Sequence, residues 1–170
     1  MTGRLEIDIS AIAGNWPDVS GDIAKKAALI AWATPDGADQ LRDGELSVVL
    51  GDDPMVQGLN KEWRGFDKPT NVLSFPADDF DIPEAPRILG DVILALQTIE
   101  GEAINQNKNF TDHLAHLVIH GVLHLLGHDH IKEAEAEKME ALEIKLLAKL
   151  NIVNPYAAGG ILEEEFIKNG

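Results

Sequence analysis

The chain opens with a strict alternation. Leu5, Ile7 and Ile9 stand against Glu6, Asp8 and Ser10, the period-two pattern of a half-buried strand. Asp18 to Ser20 then offer caps for a helix from about Gly21 to Thr34, with Ile23, Ala27, Ile30 and Ala31 turned inward. Pro35-Asp36-Gly37 ends that helix as a turn. Glu45 to Leu50 predicts a second strand with Leu46, Val48 and Leu50 on one face. Asp52, Asp53 and Pro54 open a short helix reaching about Trp63, since proline is tolerated in a first turn. Val72 to Phe75 predicts a short strand stopped by Pro76, and the acidic, proline-containing run from Ala77 to Pro86 reads as a mobile loop. Ile88 to Leu94 is a near-continuous apolar strand.

Helical periods dominate the remainder. Leu96 to Asn107 predicts a helix weakened by Gly101. Thr111 or Asp112 is placed to cap the next helix, which is apolar on nearly every side. Ile131 to Leu150 predicts an amphipathic helix with a core stripe of Met139, Leu142, Leu146 and Leu150. Glu135, Glu137, Glu140, Glu143, Lys145 and Lys149 are expected to face water. Strands early and helices late predict an α+β (α/β-like) single domain, a small mixed sheet flanked by about five helices. Residues 1–153 are expected to form one catalytic domain, and 154–170 a loosely held C-terminal tail.

Charge narrows the partners. Fourteen basic and 29 acidic side chains give a net charge of −15 among 170 residues, which argues against broad binding of nucleic acid and against DNA in particular. It leaves room for a local basic site, or for a basic protein partner. The chain has no cysteine, its first residues show no basic-then-apolar leader, and no apolar run approaches a membrane span. A cytoplasmic protein without membrane contact is the expectation.

The chemistry concentrates in the apolar helix. All six histidines lie between His113 and His130. At 100° per residue, His113, His116, His120, His124 and Gly127 fall within about 40° of one helix line. Burying that many imidazoles without partners is costly, and a metal ion accounts for them. His120 and His124 are one turn apart, so both can reach one ion. Gly127 stands where a left-handed cap would end the helix, which lets the chain turn back and bring His130 round as a third ligand. Three neutral imidazoles with an open fourth position are the arrangement of a catalytic Zn2+, one per chain.

Three segments carry a family resemblance. His120-Gly121-Val122-Leu123-His124-Leu125-Leu126-Gly127-His128-Asp129-His130, preceded by His116-Leu117-Val118-Ile119, closely resembles the signature of the YbeY family of metal-dependent endoribonucleases. Arg64-Gly65 with Asp67-Lys68-Pro69-Thr70-Asn71-Val72-Leu73-Ser74-Phe75-Pro76, and Leu89-Gly90-Asp91-Val92, resemble the family's other recurrent segments in the same order. The resemblance spans roughly Leu46 to Leu147. It implies a bacterial cytoplasmic RNase that cleaves single-stranded RNA, matures the 3′ end of the small-subunit rRNA and serves ribosome quality control. It implies zinc ligands at His120, His124 and His130, an active-site arginine at Arg64, and a four-stranded sheet beside the zinc site. Ribosomes or small-subunit ribosomal proteins are the implied partners.

Some roles follow from chemistry rather than from resemblance. Arg64 suits the non-bridging oxygens of a phosphodiester, and His116, one turn before His120, suits proton transfer or substrate binding. Asp129 and Asp91 are candidates to orient a ligand imidazole, and Lys61, Lys68 and Arg87 to supply positive potential. Two other functions compete. The spacing of His120, His124, Gly127 and His130 matches the metzincin peptidase motif, except that Gly121 stands where that motif needs its glutamate base. A non-catalytic ribosome assembly factor with a structural metal is the other.

Overall fold

The computed structural model describes residues 3–33, 42–77, 84–128 and 132–156. Four strands, β1 (Leu5–Ala11), β2 (Gly44–Gly51), β3 (Val72–Pro76) and β4 (Arg87–Ala95), form one mixed sheet in the order β1-β2-β4-β3. β1 and β4 both run parallel to β2, whereas β3 runs antiparallel to β4 on the outer edge. Pro76 ends β3 there, where its missing N–H costs no central ladder bond. The described helices are α1 (Ser20–Trp32), α2 (Asp53–Arg64), α3 (Leu96–Asn105), α4 (Phe110–Leu125) and α5 (Glu133–Ala148). The α+β architecture with a four-stranded mixed sheet and five helices is therefore observed.

Side-chain alternation on the strands divides the core in two. Leu46, Val48 and Leu50 of β2, Leu89, Val92 and Leu94 of β4 and Val72 of β3 pack on α1 and α4. Their neighbours Val49, Leu73, Phe75, Ile93 and Ala95 pack instead with Val56, Met55 and Leu59 of α2. The sheet thus separates α4 from α2. Twelve of the sixteen residues of α4 are buried, because sheet, α1, α3 and α5 surround it.

Several local expectations are corrected. The inward stripe of α1 is Ala24, Ala27, Ala28 and Ala31, with Ile23 and Ile30 only partly covered, because small side chains let α1 lie close against α4. Val19, not Asp18 or Ser20, precedes α1, and no side chain caps it. Asn109, not Thr111 or Asp112, is the N-cap of α4, so the latter two sit inside its first turn. By contrast Asp52 caps α2 as expected, accepting from Met55 N at 3.0 Å. Asp53 reaches across to cap α3, its carboxylate accepting from Thr98 N at 3.0 Å. The turn at Pro35-Asp36-Gly37 and most of the loop from Ala77 to Pro86 lie outside the described residues.

Candidate metal centre

Helix α4 places its histidines in a buried column, and carboxylates from two other helices meet them. His113 Nε2 lies 2.8 Å from Glu102 Oε1 of α3, and Glu102 also accepts from Asn71 Nδ2 at 3.0 Å. His116 Nε2 and His120 Nδ1 lie 2.6 and 2.7 Å from the two oxygens of Glu143 on α5. Tyr156 Oη donates a third bond to Glu143, 2.6 Å long. An ionised carboxylate only accepts, so both rings donate N–H to it. Burial alone would push the Glu143 carboxyl up, but the charge of His120 and the hydrogen bonds from both histidines outweigh it and hold the group well below the usual carboxylate range. Burial pushes His120 down, toward the neutral imidazole, and raises the Tyr156 hydroxyl, which stays protonated.

This arrangement suits a metal ligand. With Nδ1–H held by Glu143, neutral His120 carries its lone pair on Nε2, the atom that would coordinate. His124 stands one turn further along, its ring centroid 4.7 Å from that of His120, and the Nε2 atoms of both rings are buried. Helix α4 then stops as expected. Gly127 adopts φ +102°, Gly127 N bonds His124 O at 3.0 Å and His128 N bonds Leu123 O at 3.0 Å, the paired bonds of a Schellman cap. His130 and Asp129 lie outside the described residues, and among the described residues no three such side chains form a complete metal site. The described pair, His120 and His124, has the donor chemistry that zinc takes.

Other candidates fall elsewhere. Arg64 ends α2, on the far face of the sheet from α4, where Nη1 donates to Asn60 Oδ1 at 3.1 Å and the guanidinium lies 5.2 Å from the Phe66 ring centroid. Its neighbour Trp63 packs edge-on against Phe75 of the outer strand β3, with 6.3 Å between centroids. Arg64 is thus beside the sheet edge whose Ser74 touches α4, its hydroxyl donating to Gly121 O at 3.1 Å. Asp91 is exposed on the α2 side of the sheet, in a cavity with Glu6, Asp8 and Glu45 rather than beside the histidines. Lys61 pairs loosely with Asp67 at 3.8 Å.

Glu143 is the principal correction. The charge pattern of α5 placed it in water, yet it is fully buried, between Met139 and Leu146 on the packed face. A signal was available: Glu143 follows Met139 by four positions and precedes Leu146 by three, so it falls on the apolar stripe. One carboxylate on the core stripe of a helix that must pack beside buried histidines is the partner those histidines require. Glu102 and Tyr156 carried no comparable signal, since their partners are distant in sequence.

The family model for endoribonuclease YbeY matches residues 20–151 of this chain. Endoribonuclease YbeY of Parvibaculum lavamentivorans is 48% identical over 162 residues, covering 91% of this chain and 86% of that protein. The protein of the same name from Paramagnetospirillum magneticum is 51% identical over 162 residues, covering 92% and 98%. The solution structure of TM1509 from Thermotoga maritima superposes with a TM-score of 0.54 at 25% identity, covering 85% of this chain and 91% of that one. Matched over most of its length by the family model and by relatives of about half-identical sequence, the chain belongs to the endoribonuclease YbeY family.

Proposed function

We propose that this protein is a zinc-dependent endoribonuclease of single-stranded RNA that acts in rRNA processing, at the 3′ end of the small-subunit rRNA, and in ribosome quality control. The observation that carries the reading is the Glu143-held His120 beside His124 on a buried helix, in a chain whose relatives are named endoribonucleases. His120, His124 and His130 would hold one Zn2+. Bound there, the ion supplies Lewis acidity toward a phosphoryl oxygen and a water of lowered pKa.

The chain's own groups do the rest. Glu143 keeps His120 in one tautomer and holds His116 one turn away, so both rings are oriented before substrate arrives. Arg64, whose planar guanidinium suits paired oxygens, would bind the non-bridging oxygens as RNA passes round the β3 edge. His116 would contact the substrate through Nδ1, since its Nε2 is committed to Glu143. The net charge of −15 favours docking on a basic ribosomal protein to bring RNA to the site.

Gly121 counts against a peptidase. A Cβ there would lie 2.9 Å from Val92 Cγ1, so the glutamate base that metzincins carry at this position has no room. The test is metal content and RNA cleavage of the purified chain, with and without chelator, beside His124→Ala. About one zinc per chain, with cleavage lost on chelation and in the variant, is expected. Zinc without cleavage, on naked RNA and on ribosomes alike, would favour an assembly factor with a structural metal instead.

A further inference from the structure

A second recess opens beside the N-terminal half of α4, and two asparagines build its rims. Asn107 takes φ +58° after α3, with Lys108 N bonded to Ala103 O at 2.9 Å. Asn151 takes φ +61° after α5, with Ile152 N bonded to Leu147 O at 3.0 Å. Both are helix-ending turns of the same type as at Gly127, and asparagine is the non-glycine residue that accepts them most readily. The two turns bring residues 106–109 and 152–155 to face each other across a cavity of about 250 Å³.

The lining has an unusual chemistry. Lys108 carries a buried ammonium without a hydrogen-bond partner. His113 and His116 are fully buried in its floor, and their Nδ1 atoms also have no partner. Because each ring donates Nε2–H to a carboxylate, each neutral ring offers an Nδ1 lone pair. Asp112 adds a carboxylate at the mouth, while Ile152, Val153 and Pro155 form an apolar wall. Buried polar groups left unpaired cost free energy, and a ligand that satisfies donor and acceptors together recovers it. A phosphate alone satisfies only the ammonium and meets Asp112 unfavourably.

We propose that this cavity receives one unstacked keto base of the RNA substrate, guanine ahead of uracil. It is flat enough for the Ile152–Pro155 wall, its carbonyl accepts from Lys108, and its ring N–H donates to the acceptors opposite. Guanine adds an amino group for Asp112. Unstacked bases read on their hydrogen-bonding edges are how single-stranded RNA is recognised by sequence. The inference rests on the nuclease reading only for its substrate, and places the base on the His116 side of the metal ligands.

The test uses the full chain, isotope-labelled and titrated by NMR with GMP, UMP, AMP, CMP and inorganic phosphate in the presence of chelator. Expected are shifts confined to residues 106–113 and 152–155, with GMP and UMP binding about fivefold or more tighter than AMP and CMP, the worth of one hydrogen bond. Lys108→Met should weaken GMP about tenfold and leave AMP unchanged. Val153→Glu, at a position 82% exposed and safe for folding, should weaken all four. Equal binding of all four nucleotides, a response to phosphate alone, or no response in these residues overturns the proposal. RNA cleavage by the wild-type chain without any GMP response overturns it alone. A GMP response in a chain that cleaves no RNA leaves the pocket assigned and overturns the nuclease reading.

Discussion

Glu143 Oε2 lies 2.7 Å from His120 Nδ1, and its other oxygen 2.6 Å from His116 Nε2, so one carboxylate on α5 sets the tautomer of two rings on α4. In Glu143→Gln only one oxygen remains, and the amide NH2 faces the other ring N–H. One imidazole must then change tautomer or lose its bond. Zinc affinity, read by competition with a chromophoric chelator, should fall by about 10- to 100-fold. An unchanged affinity would mean that His120 is oriented by packing alone.

Tyr156 ties the segment after α5 to the same carboxylate. Tyr156→Phe removes a hydrogen bond to a charged group in a partly buried place. Urea denaturation should show a loss of about 1.5–3 kcal/mol. A loss near zero would mean that two imidazoles satisfy Glu143 without help.

Gly121 sits where α4 comes closest to the sheet. A Cβ there would meet Val92 Cγ1 at 2.9 Å and Ser74 Oγ at 3.1 Å, both on stiff strands. Gly121→Ala should destabilise by about 1–3 kcal/mol through overpacking. Thermal unfolding checks this; a variant as stable as wild type would show that α4 can lift without cost.

His113 gives a pH dependence of stability. Burial lowers its pKa in the fold, against an opposing pull from Glu102, so the unfolded chain binds this proton first as pH falls. Stability is therefore unaffected by this group above about pH 6.5. It declines below that pH, by up to about 1.4 kcal/mol per unit, until the folded-state pKa is reached. His113→Gln keeps a donor for Glu102 but has no proton to take up, so denaturation series from pH 8 to 5 should show a shallower acid decline. Parallel curves would remove His113 as the cause.

Much of the molecule was legible from residue order. The strand alternation in β1 and β2, the Asp52 cap, the close of α4 at Gly127 and the pairing of His120 with His124 all depend on neighbours within about four positions. Local periodicity reports such features directly. The family followed from three contiguous motifs for the same reason.

What local pattern could not reach were the partners. Nothing near Glu143 in sequence distinguishes it from Glu140, which stays near the surface of the same helix; only packing of α5 on α4 buries one of them against two imidazoles. The column of histidines likewise read as one metal-facing stripe, and packing divides it. His113 goes to Glu102, His116 and His120 to Glu143, and His124 toward the end of the helix. Helical spacing determines which side chains share a face. Which groups answer that face is set by contacts 11 to 40 residues apart, whose desolvation costs exist only once the helices are packed.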